Sequence, residues 1–380
     1  MASLKFTSLK QYSFLLVTVL YALLVFSLPT EATTIEKKLW GSVNQKPIYL
    51  YSVTNVNGMT LKMTNYGAKI TSLFVPDKNG KLEDIVLGFN SLAKYIAPNQ
   101  SFGATIGRYT NRIRDGKFTI DGIDYELTKN DGKNTIHGGS EFETAVWNTK
   151  IKEHKQGIAL IFTYLSKDGS NGFPGNLLST ITYTLTHNNE VKIDFEATTD
   201  KTTQVNFTHH GYFNLNAMKD LIYDHTIEIN ANKYVVLSTD DVTATGEIDT
   251  VKGKFWDLRK PTRIGKNIDK IPLGGYHQNY IFDNYDGKLR KVAKIVEPNS
   301  GRTLELSTTQ PGVTFYTAMG LTHKPKGKNG IKYTPHIAFC LETQHHVGAA
   351  NQPQFPSTLL KPNEKYHEVA IYKFGIEKAN

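Results

Sequence analysis

The 380-residue chain contains a single cysteine, Cys340. No disulfide can form within it, which is unusual for a small secreted domain but acceptable for a large one. Charged residues are also few, at 21%, whereas aromatic residues make up 11%. A chain of this length and composition has enough apolar surface to bury a core, as one large domain or two smaller ones.

Sequence patterns that mark several function classes are missing. The net charge is +9, but there is no arginine-rich helix and no zinc-finger spacing, so nucleic acid is not expected as a partner. No Walker or dinucleotide-binding glycine pattern occurs. A metal site is not expected either, because the pairs His209–His210 and His345–His346 are adjacent on predicted strands and cannot chelate one ion together.

The N-terminus has the pattern of a secretory signal. Lys5 and Lys10 precede an apolar run, Tyr12–Leu28, and Ala32 offers a small residue for cleavage. An uncleaved membrane anchor is the competing interpretation, because the run just reaches spanning length. Pro29 and the cleavage site favour the signal. We therefore expect residues 1–32 to be removed and the protein to be secreted or to enter the secretory pathway, without stable membrane association afterwards.

The remaining chain, residues 33–380, predicts one all-β domain. Short runs with period-two alternation are separated by Gly, Asn and Asp turns, and Lys117–Leu127 carries Asp-Gly between two strands, which indicates a hairpin. Long amphipathic helices are absent, so we expect a large sandwich of antiparallel sheets. Asn99 and Asn206 match the glycosylation acceptor pattern. Only Asn99 is expected to be accessible, because Asn206 lies within a predicted strand.

The stretch VNFTHHGYFNL raises the question of which of its two histidines does chemistry. Residues of one strand alternate between its faces. His209 shares a face with the apolar Val205 and Phe207 and is expected to be a core residue. His210 belongs to a polar row, which suggests a ligand groove. The row consists of Asn206, Thr208, His210, Tyr212 and Asn214.

The stretch HIAFCLETQHH places a carboxylate in an otherwise apolar strand. Both faces of this strand are apolar up to Glu342, so the strand is expected to be covered on both sides. A buried carboxylate is costly unless it is paired, hydrogen-bonded or used. Burial raises its pKa, which suits a general base. The alternative is a structural carboxylate bonded to backbone amides.

Two glycine-containing loops hold further polar candidates. IGRYTNRIRDG carries Arg108, Asn111 and Arg112, and NTIHGGS carries His137. The Gly-Gly pair of the second loop would let the backbone approach a ligand closely.

Together these stretches resemble the aldose 1-epimerase (galactose mutarotase) family. The match runs in order along nearly the whole chain after the N-terminal segment. The resemblance implies a galactose mutarotase-like β-supersandwich and an enzyme without a cofactor that interconverts the α and β anomers of a sugar. The matching segments are NYGAKITSLFVPDKNGKLEDIVLGF, FGATIGRYTNRI, NTIHGG, NFTHHGYFNL, PGVTFYTAMGL and FCLETQ.

The resemblance also implies roles for individual residues. Glu342 corresponds to the family's catalytic base and His210 to its catalytic acid. Anomer exchange removes the proton of the C1 hydroxyl while the ring oxygen is protonated, so a base and an acid on opposite sides of the hemiacetal suffice. The implied substrate-positioning residues are Asn111, Arg112, His137 and Tyr212.

At three sugar-contact positions the chain departs from the family. His277 stands at a sugar-binding aspartate, Thr314 at a sugar-binding glutamine, and Met319 at a common asparagine. The acid–base pair is retained, so the leading hypothesis is a mutarotase with weak activity on galactose and glucose. One alternative is an epimerase or isomerase that acts on a non-sugar hemiacetal or another natural product. Another is a carbohydrate-binding protein without turnover, although the presence of both Glu342 and His210 argues against it.

Overall fold

The protein is built mainly of β-strands in a computed structural model that describes residues 33–97 and 101–377. The predicted signal segment and the predicted glycosylation site Asn99 lie outside the described residues. From Thr33 onward the chain forms one compact unit. Within the described ranges, no helix has the length and apolar character needed to cross a membrane.

Strands follow one another with few helical interruptions. The first fourteen are β1 (Thr34–Val43), β2 (Lys46–Thr54), β3 (Thr60–Thr64), β4 (Lys69–Pro76), β5 (Leu82–Asp84), β6 (Ala104–Ile106), β7 (Arg112–Ile113), β8 (Lys117–Ile120), β9 (Ile123–Glu126), β10 (Thr135–Ile136), β11 (Asn148–His154), β12 (Gly157–Ser166), β13 (Leu177–Thr186) and β14 (Glu190–Thr199). The others are β15 (Thr203–Gln204), β16 (Thr208–His210), β17 (Thr226–Ile229), β18 (Lys233–Leu237), β19 (Ala244–Thr250), β20 (Thr262–Arg263), β21 (His277–Ile281), β22 (Arg290–Val296), β23 (Arg302–Thr308), β24 (Gly312–Tyr316), β25 (Cys340–Gln344), β26 (Leu359–Leu360) and β27 (Tyr366–Ile376).

The helices in the described ranges are short. Two are α-helices, α1 (Leu92–Ile96) and α2 (Glu141–Thr144). The others are 3₁₀ turns at Arg114–Gly116, His137–Ser140, Ser170–Gly172, Ile222–Asp224, Ile264–Lys266, Ile268–Lys270, Pro272–Gly274, Lys328–Gly330 and Ala349–Asn351.

Three sheets carry the architecture, and their strand pairs are antiparallel. The largest has nine strands in the order β11-β12-β13-β14-β27-β23-β22-β17-β20. Two five-stranded sheets have the orders β1-β2-β3-β4-β5 and β19-β18-β21-β24-β25. Short pairs, β6 with β16 and β7 with β10 among them, complete the molecule. The prediction of an all-β sandwich of antiparallel sheets is therefore confirmed.

Period-two patterning explains how these sheets pack. Along β14, Val191, Ile193 and Phe195 are buried, while the residues between them are partly exposed. Such a strand places one apolar face on the core. The main core joins side chains from all three large sheets, including Leu61, Phe162, Phe195, Leu306 and Phe315.

The predicted hairpin between Lys117 and Leu127 is present as β8 and β9. Asp121 and Gly122 form its turn with φ values of 52° and 79°. Positive φ at both central residues matches the right-handed twist of the flanking strands, which explains the Asp-Gly sequence.

Candidate active site

The two adjacent histidines of β16 face opposite sides, as strand alternation predicts. His209 is buried in the core, where its Nδ1 lies 3.2 Å from the hydroxyl of Tyr183. His210 lines a cavity of about 420 Å³. Asn206 is fully buried, as expected, and its Oδ1 accepts a hydrogen bond from the backbone N–H of His345.

Glu342 reaches the same cavity from β25. Its Oε1 lies 3.6 Å from His210 Nε2, and both side chains are buried. Its Oε2 has no hydrogen-bond partner among the described residues. The alternative of a structural carboxylate satisfied by backbone amides is therefore wrong. The two groups lie side by side in the cavity. Since a hemiacetal carries both reacting oxygens on one carbon, neighbouring groups can serve both.

Burial sets the charge of this pair. It raises the pKa of Glu342 to about 8, an effect that the nearby Arg112 partly offsets. Burial also lowers the pKa of His210 to about 3, and His137 acts in the same direction. Desolvation favours the uncharged form of each group. The pair therefore carries one proton at neutral pH, so one member can donate a proton while the other accepts one.

His137 is held in one tautomer by a neighbouring loop. β7 pairs with β10 in register Arg112 to Ile136, and His137 follows directly. The backbone N–H of Asn111 donates to His137 Nδ1 at 3.3 Å. The proton of the neutral ring must therefore be on Nε2, which makes that nitrogen a donor. Burial lowers the pKa of His137 to about 3 and so keeps the ring neutral.

Arg112 is oriented by an ion pair. Its Nε lies 2.6 Å from Asp131 Oδ2, and its backbone N–H donates to the side chain of Asn111. Both Asn111 and Arg112 line the cavity. Because Nε binds Asp131, the terminal N–H groups of the guanidinium are left to serve as donors to a ligand.

The Gly-Gly pair after His137 has a role within the protein. Gly138 and Gly139 have φ values of 62° and 73°, and a Cβ at Gly138 would lie 2.4 Å from the carbonyl oxygen of Gly107. The close approach is to the chain's own backbone, not to a ligand as the sequence suggested. The turn therefore fixes the position of His137.

Aromatic rings pack against His210 and against His277 in the cavity wall. Tyr212 stacks on His210 with ring centroids 5.0 Å apart and an interplanar angle of 20°. On the neighbouring sheet, β21 pairs with β24, and the ring of His277 lies 5.1 Å from that of Tyr316. Tyr212 and His277 both line the cavity. Burial lowers the pKa of His277 to about 3, and Arg112 acts in the same direction.

Five of the sequence candidates do not line the cavity: Thr314, Arg108 and, from the polar row, Asn206, Thr208 and Asn214. Thr314 lies opposite Glu342 in the β24–β25 pair, but its hydroxyl is used within the protein, accepting from Asn279 and donating to Gln344 Oε1. Arg108 is fully buried, and its guanidinium donates to Ser166 and to nearby backbone carbonyls. The structure gives Thr314 and Arg108 internal roles.

The cavity wall contains residues that the sequence reasoning missed. Strand alternation could have identified Tyr316, because it shares a face of β24 with Thr314. Glu143 on α2 carries no pattern that marks it. Met319 lines the cavity, as its sugar-contact position suggested. The missed residues are Ser101, Asn130, Ile136, Ser140, Glu143, Val242, Leu273, Tyr316 and Gly320.

A proton donor and a proton acceptor in contact, at the base of a cavity lined by hydrogen-bonding groups, define an enzyme of acid–base type on a β-sandwich. A family model described as aldose 1-epimerase matches residues 49–373. The chain belongs to the aldose 1-epimerase family.

Individual relatives agree with this membership. Galactose mutarotase from Bos taurus is 40% identical over 84% of this chain and 92% of its own. Aldose 1-epimerase from Escherichia coli K12 is 30% identical over 87% of this chain and 96% of its own. Among solved structures, an aldose epimerase homologue from C. elegans superimposes with a TM-score of 0.79 at 26% identity, covering 91% of this chain and all of the other. The protein is an isomerase of the mutarotase type, which interconverts the α and β anomers of a sugar.

Proposed function

We propose that the protein acts on a free aldose, with Glu342 as general base and His210 as general acid. The observation that carries this proposal is the 3.6 Å contact between the two buried groups at the cavity. Galactose is the first sugar to test, because relatives that match most of the chain are named galactose mutarotase, and the altered wall residue His277 leads us to expect that its turnover is weak.

The reaction needs only proton transfers and the cleavage and re-formation of one carbon–oxygen bond. Glu342 takes the proton of the C1 hydroxyl while His210 gives a proton to the ring oxygen. The electron pair of the O–H bond forms the aldehyde, and the C1–ring oxygen bond breaks. After rotation about C1–C2, the freed hydroxyl attacks the other face of the aldehyde, and the two residues reverse their roles. Each positioned proton transfer contributes roughly 10²–10⁴-fold.

The remaining polar groups would orient the sugar. In this proposal His137 donates from Nε2, because its Nδ1 accepts from the Asn111 backbone. Arg112 donates from its terminal nitrogens, because its Nε is bound to Asp131. Donors fixed in this way stabilise charge that develops on the sugar oxygens.

The direct test is an NMR exchange assay between anomers. The panel should contain hexoses, pentoses, 6-deoxyhexoses and non-sugar hemiacetals. We expect catalysed exchange for at least one aldose, and its loss in Glu342→Gln. Saturable sugar binding without exchange would instead establish a binding protein, and exchange confined to a non-sugar hemiacetal would overturn the substrate class.

We also propose that the protein functions in the secretory pathway or outside the cell. The basis is the basic start, the apolar run Tyr12–Leu28 and the small residue Ala32. A fold without disulfides suits this compartment because its large core supplies the stability that small secreted domains draw from cross-links.

A further inference from the structure

His210 and Glu342, which line the cavity, form a cluster with the buried Cys340. The proposed reaction uses the first two residues but gives Cys340 no role. Cys340 and Glu342 are two residues apart on β25, so their side chains leave the strand on the same face. His210 approaches them from β16, with Nδ1 3.7 Å from the sulfur of Cys340. One donor atom from each of the three residues lies within 4.8 Å of the other two.

The donor types and their surroundings fit a transition-metal ion. Thiolate, imidazole and carboxylate are the usual ligands of Zn²⁺, which prefers four ligands in tetrahedral arrangement. All three residues are buried, and Glu342 lines the cavity with an Oε2 that has no partner in the described part of the chain. A buried oxygen without a partner is costly, and an ion would satisfy it.

We propose that His210, Cys340 and Glu342 bind Zn²⁺ reversibly and that the bound ion blocks the catalytic pair. Two protons leave to solvent when the ion binds, one from the thiol of Cys340 and one from the Glu342–His210 pair. The thiolate and the carboxylate together balance the two positive charges of the ion, so the buried site carries no net charge. The fourth position opens to the cavity, where a water molecule completes the tetrahedron.

Inhibition follows because the ion occupies the lone pairs that the reaction needs. Zn²⁺ and sugar should compete, since both require Glu342 and His210. This consequence depends on the proposed function, whereas the binding of the ion does not. The experiment therefore measures the two separately.

Binding is measured first, without any activity assay. Co²⁺ is titrated into the full chain, and thiolate coordination is detected by the sulfur-to-cobalt charge-transfer absorption. Zn²⁺ then displaces Co²⁺ to give its dissociation constant. Cys340→Ser and Cys340→Ala remove one ligand, and His367→Asn changes an exposed histidine that serves as the control.

We expect one Co²⁺ per chain with charge-transfer absorption in wild type and His367→Asn, and no such absorption in either cysteine variant. Affinity for Zn²⁺ should fall at least about tenfold in both cysteine variants, since even supporting residues of metal sites contribute that much. Both variants must keep the wild-type circular dichroism spectrum, and two different replacements guard against failure of one to fold. No absorption in wild type, or equal affinity in all four proteins, would overturn the site.

Inhibition is measured second, by anomer exchange at several sugar concentrations. Each variant is compared with its own rate after treatment with a chelator. We expect competitive inhibition by Zn²⁺ in wild type and at least about tenfold weaker inhibition in the cysteine variants. Metal binding in a chain without exchange activity would contradict the proposed function only. Active enzyme that binds Zn²⁺ at Cys340 without inhibition would contradict the blocking role.

Discussion

At the scale of single residues, the two halves of the His209–His210 pair make the clearest experiment. His210→Asn and Glu342→Gln should each lower kcat by roughly 10²–10⁴-fold, because each removes one positioned proton transfer. His209→Asn should leave kcat of the folded enzyme unchanged and lower the free energy of unfolding by about 1–3 kcal/mol, since it disrupts a buried hydrogen bond to Tyr183. Kinetics and urea unfolding of the three variants measure both effects.

The opposite pattern would show that the two faces of β16 have been assigned the wrong way round. That pattern is a folded but inactive His209→Asn variant beside a His210→Asn variant with wild-type rates. The two substitutions are chemically identical and adjacent in sequence, so each serves as the matched control for the other.

The second prediction at this scale concerns His277. Wild-type kcat/KM for galactose should lie below about 10⁴ M⁻¹s⁻¹, the lower end for ordinary enzymes. A hydrogen bond contributes about 0.5–1.5 kcal/mol, and 1.4 kcal/mol is tenfold in affinity. His277→Asp should therefore raise kcat/KM up to about tenfold, because the carboxylate supplies acceptors in the cavity wall, with Arg112 nearby to balance its charge.

Thr314→Gln is the comparison variant for His277. The hydroxyl of Thr314 is hydrogen-bonded to Asn279 and Gln344, and the side chain is fully buried. A larger side chain at this position therefore overpacks the β24–β25 pair and does not reach a sugar. We expect no gain from Thr314→Gln alone. Efficient wild-type turnover of galactose, without improvement in His277→Asp, would show that His277 does not limit kcat/KM for this sugar.

At the scale of elements, the turn after β10 determines where His137 lies. Gly138→Ala should destabilise the protein by about 1–3 kcal/mol and raise KM, because the added Cβ would meet the carbonyl oxygen of Gly107 at 2.4 Å. Gly132→Ala is the matched control, with nearly the same φ of 61° but no atom within 4 Å of the added Cβ. Backbone strain is common to both variants, so their difference in unfolding free energy and KM isolates the clash. Equal effects in the two would show that His137 does not depend on this packing.

The elements also show how far the sequence determines the site. Strand alternation separates His209 from His210, and an apolar strand identifies Glu342, because both arguments use only neighbours along the chain. The Asn111–His137 hydrogen bond arises from the pairing of β7 with β10. The hydrogen bonds of the Thr314 hydroxyl require β21, β24 and β25 to be neighbours in one sheet. Those relations are long-range, so local pattern could not reveal them. Glu143 was missed because a four-residue helix has too few positions to show a pattern.

At the scale of the whole molecule, buried histidines should make stability depend on pH. Burial lowers the pKa of His225, His345 and His346 to about 4 in the folded protein, against about 6.5 when unfolded. Below pH 6.5 the unfolded chain binds more protons, so stability should rise with pH from about 4 to 6.5 and be lost in the reverse direction. Each histidine contributes up to about 3 kcal/mol. Thermal unfolding at a series of pH values measures the slope.

His346→Asn should reduce this slope, and His367→Asn is the comparison variant at an exposed position. His346 is buried and its Nδ1 has no hydrogen-bond partner among the described residues, while the side chain of His367 is 49% exposed. The comparison uses the dependence on pH and not the absolute stability, so a general loss of stability in the variant does not affect it. An unchanged slope in His346→Asn would contradict the prediction.

The last prediction for the whole chain is cleavage near Ala32. Mass spectrometry of the protein from its native host should find an N-terminus at about residue 33, because the apolar run and the small residue fit a signal peptidase site. A mature protein that still begins at Met1 or Ala2 would favour the retained anchor.

The single thiol of the chain has a practical consequence for following motion at the catalytic centre. Cys340 is fully buried and burial raises its pKa well above the usual range, so an alkylating reagent cannot attack it in the closed structure. Its labelling rate is then the intrinsic rate multiplied by the equilibrium constant for opening. Because no other thiol competes, that rate reports the free energy of opening around His210 and Glu342 in the unmodified protein. A sugar bound in the cavity slows the labelling in proportion to its occupancy, which gives affinity without turnover.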